Sequence, residues 1–148
     1  MKKHILLFIV AGAFTATVAN AQDIAQRQVP SVILNKFHND FPHAKDMEWE
    51  MKGTQYQVEF ETGWWTEHEI WYSAEGEQVK HVEEIPTKDL PNAVQTTVSK
   101  EFEGYAIDDA KRITENNKSN YLLDLDGRRY DWEVLIDPSG KVVSQRVD

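Results

Sequence analysis

The chain of 148 residues contains no cysteine. A disulfide framework, a thiolate nucleophile and a lipid anchor on a cysteine at a cleavage site are therefore excluded together. Small secreted eukaryotic domains usually lean on disulfides, so a bacterial cell envelope is the better setting for an exported chain of this kind. Positive charge is also scarce: 16 Lys and Arg stand against 25 Asp and Glu, a net charge of −9. Nucleic acid is not an expected partner, because binding phosphates depends on Lys/Arg contacts and released counterions. A basic protein or peptide is electrostatically easier to attract. Phosphate-cradling glycine loops, nucleophile elbows and Ser/His/Asp groupings are missing as well. The expectation is a non-enzyme with no cofactor and no metal.

Long apolar runs are missing except at the start. Met1-Lys2-Lys3 is basic, Ile5 to Val18 is mostly apolar, and Ala19-Asn20-Ala21 supplies a small-x-small cleavage pattern. This is the form of a signal peptide over residues 1–21, with Gln22 as the first mature residue. The run is shorter than the about 20 apolar residues a membrane span requires. A secreted or periplasmic location is expected, with no span after cleavage. Loss of Lys2 and Lys3 would leave 14 basic against 25 acidic residues, a net charge of −11.

What is present is one unit written twice. Val29-Pro30 with Phe41 matches Leu90-Pro91 with Phe102 at an offset of 61. Tyr56 to Glu61 lines up with Tyr121 to Asp126, and Glu69-Ile70-Trp71-Tyr72 with Gly76 lines up with Glu133-Val134-Leu135-Ile136 with Gly140. The drift in offset falls in the turns. Such duplications decide architecture, here a first repeat over 22–86 and a second over 87–148 forming one unit.

Each repeat opens with a helix. Val29, Ile33, Phe37 and Phe41 recur every four residues, as do Leu90, Val94, Val98 and Phe102, each set forming one apolar stripe. Pro30 and Pro91 are placed in the first helical turn, where proline is tolerated. Strands follow. Met47, Trp49 and Met51 alternate with acids, and Tyr56, Val58 and Phe60 alternate with Gln57, Glu59 and Glu61. That alternation predicts antiparallel strands with one buried and one wet face. The least regular strand is the first of the second repeat, around Ala110 to Thr114. The fold class is α+β: a tandem repeat of a helix and three to four antiparallel strands, helices on one face. The two sheets are expected to join edge to edge, since a small isolated sheet leaves open edges.

Several groups carry side chains capable of chemistry. Beyond the leader, the histidines are His38, His43, His68 and His81, none paired at the spacing of a zinc helix. His68 lies between Glu67 and Glu69, which alternation sends to the other face, and it aligns with Trp132, a packing position. Asp124-Leu125-Asp126-Gly127 with Asp131 and Glu133 lacks the spacing of a calcium loop and reads as a turn. Asn117-Lys118-Ser119 is formally a glycosylation acceptor within a polar turn.

The run Trp64 to Tyr72 stands apart. With Ile70 and Tyr72 facing the helix, Trp65, Glu67, Glu69 and Trp71 fall on the outer face, with Glu59 and Glu61 beside them. Large aromatics on an acidic, helix-free face mark an interaction surface. An arginine or lysine of a protein partner can sit on such rings, and a carbohydrate can stack there. Packing of the two repeats against each other would instead bury these tryptophans.

The order of elements, with Val29-Pro30…Phe41-Pro42, Leu90-Pro91…Phe102, Tyr56…Phe60 and the Gly76 and Gly140 turns, resembles the PepSY-like, β-lactamase-inhibitor-like family over residues 28–148. The resemblance implies a small secreted or periplasmic protein of tandem repeats, each with a helical element on an antiparallel sheet. The inhibitor that lends the name holds its enzyme on the concave outer face of its sheet. It also uses disulfides and blocking loops that have no counterpart here, so lactamase inhibition is not implied. PepSY-type domains are further associated with restraining peptidases. The expected function is a non-catalytic binding or inhibitor-like module recognising an envelope protein or peptide. A glycan- or small-ligand-binding protein is the alternative, and a carboxylate hydrolase a distant third.

Overall fold

Two ten-residue helices, α1 (Ser31–Asp40) and α2 (Asn92–Glu101), carry the two apolar stripes. The computed structural model describes residues 21–147; the leader expected over 1–21 lies outside them apart from Ala21. Helices this short are marginal in water, so they persist through what they bury. Ile33 and Phe37 of α1 and Val94 of α2 are fully buried, each worth about 1.5–3 kcal/mol. Pro30 and Pro91 stand one residue earlier than expected, immediately before each helix, with extended backbones (ψ 138° and 142°). Their carbonyls accept the amides of Leu34 and Gln95 at 3.1 Å, so proline starts each helix without costing it a donor.

Among the described residues, nine strands follow chain order in a single antiparallel sheet: β1 (Ala21–Asp23), β2 (Lys45–Lys52), β3 (Gln55–Thr62), β4 (Thr66–Tyr72), β5 (Gln78–Glu84), β6 (Ala106–Glu115), β7 (Lys118–Asp126), β8 (Trp132–Ile136) and β9 (Val142–Val147). Each helix is thus followed by four strands. The short β1 on the edge of β2 has no signal in the sequence, and β6 extends well beyond the weak pattern at 110–114. The join between halves runs from Lys80↔Glu115 to Glu84↔Lys111, pairing β5 with β6. Asn116 and Asn117 make the β6–β7 turn with φ of 50° and 60°, the left-handed pair that suits the twist of a tight hairpin. Asp126-Gly127 does not close a two-residue turn. A longer loop reaches Trp132, and the Asp131 carboxylate accepts the Gly127 amide at 3.0 Å.

Buried residues fall into two clusters. One gathers Val29, Ile33 and Phe37 with Trp49, Val58, Phe60, Ile70 and Tyr72. The other gathers Leu90, Val94, Val98 and Phe102 with Ala110, Tyr121, Leu123, Leu125, Val134 and Ile136. Ile70 pairs with His81, His81 with Thr114, Glu83 with Arg112 and Arg112 with Tyr121. Because side chains alternate along a strand, this register puts the strand residues of both clusters on the same side of the sheet. Between them runs a polar seam of His68, His81, Glu83 and Arg112. Burial, then the neighbouring His68 and Arg112, bring the His81 imidazole down to about 4, and burial lowers His68 as well.

The halves also share irregularities. Register breaks between Trp71 and Tyr72 and again between Leu135 and Ile136, at matching positions of the repeat. The turns that follow close alike: Gly76 N–H to Ser73 and Gly140 N–H to Asp137, each at 3.0 Å. Gly140 (φ +90°) lies so close to α2 that a Cβ would sit 2.7 Å from the Ala93 carbonyl oxygen and 2.9 Å from Thr97 Oγ1. Thr97 Oγ1 in turn donates to the Gly140 carbonyl. At Gly76 (φ +88°) the contact is the Val32 side chain at 3.0 Å, which is half exposed and can turn away. Gly76→Ala is expected to cost about 1–2 kcal/mol from its left-handed backbone alone, and Gly140→Ala clearly more. Urea denaturation of both variants checks the order, and equal losses would contradict the contact.

Candidate outer-face site

The face opposite the two clusters is assembled by the same register. One cross-strand row reads Glu48, Glu59, Glu69, Val82, Ile113 and Asn120 from β2 to β7. The next reads Glu50, Gln57, Trp71, Lys80, Glu115 and Lys118. Glu61 faces Glu67, and on the other flank Lys111, Leu122 and Leu135 form a row. Like charges directly opposite one another destabilise a sheet. Here Glu48–Glu59, Glu59–Glu69 and Glu61–Glu67 are three such pairs on adjoining strands.

Local devices hold this arrangement together. Gln57 is 1 % exposed although it belongs to the outer face. Its amide group donates to Glu59 Oε1 and Glu69 Oε2, both at 3.2 Å, placing a donor between two carboxylates that would otherwise only repel. Burial first, then Glu69 and Glu50, raise Glu59 above the usual carboxylate range, with Lys52 opposing them. Burial alone would lower Lys111. The carboxylates of Asp109, whose oxygen is 3.5 Å away, and of Asp124 and Glu69 outweigh it and keep the ammonium charged. Lys80 Nζ lies 4.6 Å from the centroid of the Trp71 ring, a cation–π contact.

Of the six residues expected here, Glu59, Glu61, Glu67, Glu69 and Trp71 share the face. Trp65 does not. The ladder stops at Thr62↔Thr66, so Trp65 belongs to the β3–β4 turn, with φ of 70°. It projects from the rim of the face, 75 % exposed, beside Trp64 at 89 %. Trp71 is half-buried within the face. Sequence reasoning missed Glu48, Lys80 and Val82, which the β2–β3 and β4–β5 pairings seat beside Glu59, Trp71 and Glu69, and it missed Lys111, Ile113, Leu122 and Leu135, which join the face only through the β5–β6 pairing. Leu122 and Leu135 left a signal: apolar residues at positions where alternation calls for polar ones. Over the acidic half lies a shallow concavity of about 230 Å³ lined by Glu48, Glu59, Glu61, Glu67, Glu69, Glu84 and Lys111.

The chain belongs to the family described as putative beta-lactamase-inhibitor-like, PepSY-like, whose model matches residues 6–76 and again 55–144. Two matches in one chain point to a tandem repeat. Among solved structures, a DUF2874 family protein from Bacteroides uniformis is similar at 15 % identity and a TM-score of 0.69, with 80 % of this chain and 88 % of that one covered. A BLIP-like protein from Bacteroides fragilis is similar at 18 % identity and 0.65, covering 80 % and 85 %. One from Bacteroides eggerthii, described as a putative periplasmic protein, reaches 15 % and 0.70, covering 80 % and 88 %. At these identities the likeness is one of fold. No curated protein matches the chain. Among the described residues, no helix is long and apolar enough to cross a membrane.

The carboxylate rows carry a pH signature. A carboxylate raised in the folded state favours folding below its ordinary pKa, and that contribution is lost as pH rises through the folded value. Glu59→Gln is therefore expected to melt above the parent at about pH 7, the gap closing towards about pH 4. Melting curves across that range check it, and a gap that widens in acid would contradict the repulsion.

Proposed function

We propose that the chain is a non-catalytic binding module of the cell envelope that recognises a protein or peptide segment on its outer sheet face. The observation that supports this reading is the adjacency of like-charged glutamate rows with a half-buried apolar stripe (Trp71, Val82, Ile113, Leu122, Leu135) on the side opposite both cores. Glu59 and Glu69 accept from the buried Gln57 amide, but the mutual repulsion of the glutamate rows costs stability. A basic partner would relieve that repulsion on arrival, and the apolar stripe would supply the desolvated centre of an interface with a polar rim. The concavity is smaller and flatter than the roughly 300–1,000 Å³ clefts that enclose small ligands, which favours an extended macromolecular surface. The family's fold and the envelope descriptions of its structural neighbours support the setting.

A second reading rests on Trp64 and Trp65. Their rings meet edge to face at 6.2 Å on the exposed hairpin tip, where a glycan could stack on one of them. Titration with soluble cell-wall fragments distinguishes the two, since a saturable tryptophan fluorescence change lost in Trp65→Ala would favour the glycan.

For the first reading, a photo-crosslinking residue at Val82 is compared with one at Val32 on α1, half exposed on the other side, in the native cells. The expected outcome is a discrete protein adduct from position 82 that weakens in high salt and in Glu59→Gln/Glu69→Gln. Equal adducts from position 32, or indifference to both perturbations, would refute the surface.

A further inference from the structure

The seam between the two cores brings together side chains that the outer-face reading does not use. His68 on β4 is paired directly with Glu83 on β5, and His81 precedes Glu83 by two residues on the same strand. Strand alternation therefore turns all three to one side. His68 Nδ1 is 3.1 Å from His81 Nε2 and 3.8 Å from Glu83 Oε2, and one ligand atom from each residue lies within 4.8 Å of the others. His68 is 7 % exposed and the Glu83 side chain 18 %.

The geometry points to a site for a divalent transition-metal ion of the zinc type, held by His68 Nδ1, His81 Nε2 and Glu83 Oε2. Donors bound about 2.0–2.1 Å from a tetrahedral zinc stand roughly 3.3 Å apart. His68 Nδ1 stands 3.1 Å and 3.8 Å from the other two donors, each within about half an ångström of that spacing. Two imidazoles and a carboxylate form a donor set that zinc accepts, with a fourth position left for solvent.

The surroundings are those of a built site. Thr62 Oγ1 is 2.7 Å from His68 Nε2; with that nitrogen donating to the hydroxyl, Nδ1 keeps its lone pair towards His81 and Glu83. Arg112 is ion-paired to Glu83 Oε1 and so fixes the carboxylate while leaving Oε2 pointing at the rings. Partners on the far atom of each ligand are what orient ligands for a metal. Phe60 stacks on His68 with centroids 4.9 Å apart, and Phe41 lies 5.8 Å and 5.9 Å from the two imidazoles, giving an apolar wall. The His81 ring, which now donates to His68, would carry its proton on Nδ1 instead when the ion binds, so no proton need be released.

The test uses the untagged exported chain and zinc chloride. Calorimetry is expected to show one equivalent bound at micromolar or tighter affinity. The melting temperature should rise with zinc, and cobalt(II) should give the intense visible bands of a tetrahedral site. His81→Gln and Glu83→Gln should each weaken binding by at least about tenfold, while Glu67→Gln/Glu69→Gln on the opposite face should not. Should His81→Gln fail to fold by circular dichroism, Glu83→Gln, which can still accept from Arg112, decides alone. Absence of a zinc response up to millimolar metal, or binding that survives Glu83→Gln, would overturn the assignment. So would binding lost only in the outer-face variant, which would mark a carboxylate site.

Discussion

The five-pair ladder between β5 and β6 is the interaction on which the rest of the molecule depends. Without it the halves would be sheets of five and four strands, each with an open inner edge, and exposed edges invite pairing with other chains. With it, the chain has one sheet, one inner side and one outer side. The ladder also dictates parity. Because Glu83 meets Arg112 and Val82 meets Ile113, the first half's polar inner residues meet the second half's at the seam, and its acidic outer rows run into apolar ones. A slip of one residue would exchange the two sides of every strand in one half. It would set an outer residue such as Val82 beside an inner one such as Arg112.

The two clusters are separate cores bridged by polar groups that run from the buried His68 to the exposed Arg112. Hydrophobic filling at the seam would have been the simpler solution. Instead, the positions across it hold His81 opposite Thr114 and Glu83 opposite Arg112. The Glu83–Arg112 pair reaches solvent on its arginine side, 45 % exposed against 18 % for the glutamate, and pairs of that kind contribute little net stability. It does fix how the halves register, since an apolar seam could slide where a paired one cannot. The proposed metal site and the register lock use the same residues, so the seam can be structural in either state.

Much of this was legible in the chain. Four-residue spacing gave both helices, alternation gave β2 and β3, and matching the repeats gave β4 and β7 together with the inward placement of Ile70 and Tyr72. The offset between repeats correctly matched His68 to Trp132, because His68 pairs with Phe60 as Trp132 pairs with Leu125. What could not be read was anything that depends on strands distant in sequence. His68 and His81 lie on different strands, a spacing that carries no motif, and only the β4–β5 register brings them within hydrogen-bonding distance. Trp65 was misplaced for a different reason. Alternation was continued through residues that in fact form the turn, where Gly63 and Trp65 both adopt positive φ and the period of two is lost. Likewise Ile113 looks like an ordinary strand residue until β5 pairs with β6.

The strict division of each strand into an inner and an outer series has an evolutionary corollary. Residues that specify the cores and residues that face away from them occupy alternate positions, so either series can change while the other stays fixed. Proteins sharing only 15–18 % of their residues with this chain keep TM-scores of 0.65–0.70. Duplication extends the same freedom: one half could become glutamate-rich and the other aliphatic on the surface, while both kept interchangeable interiors. Such an architecture lets the outer surface change while the frame stays the same.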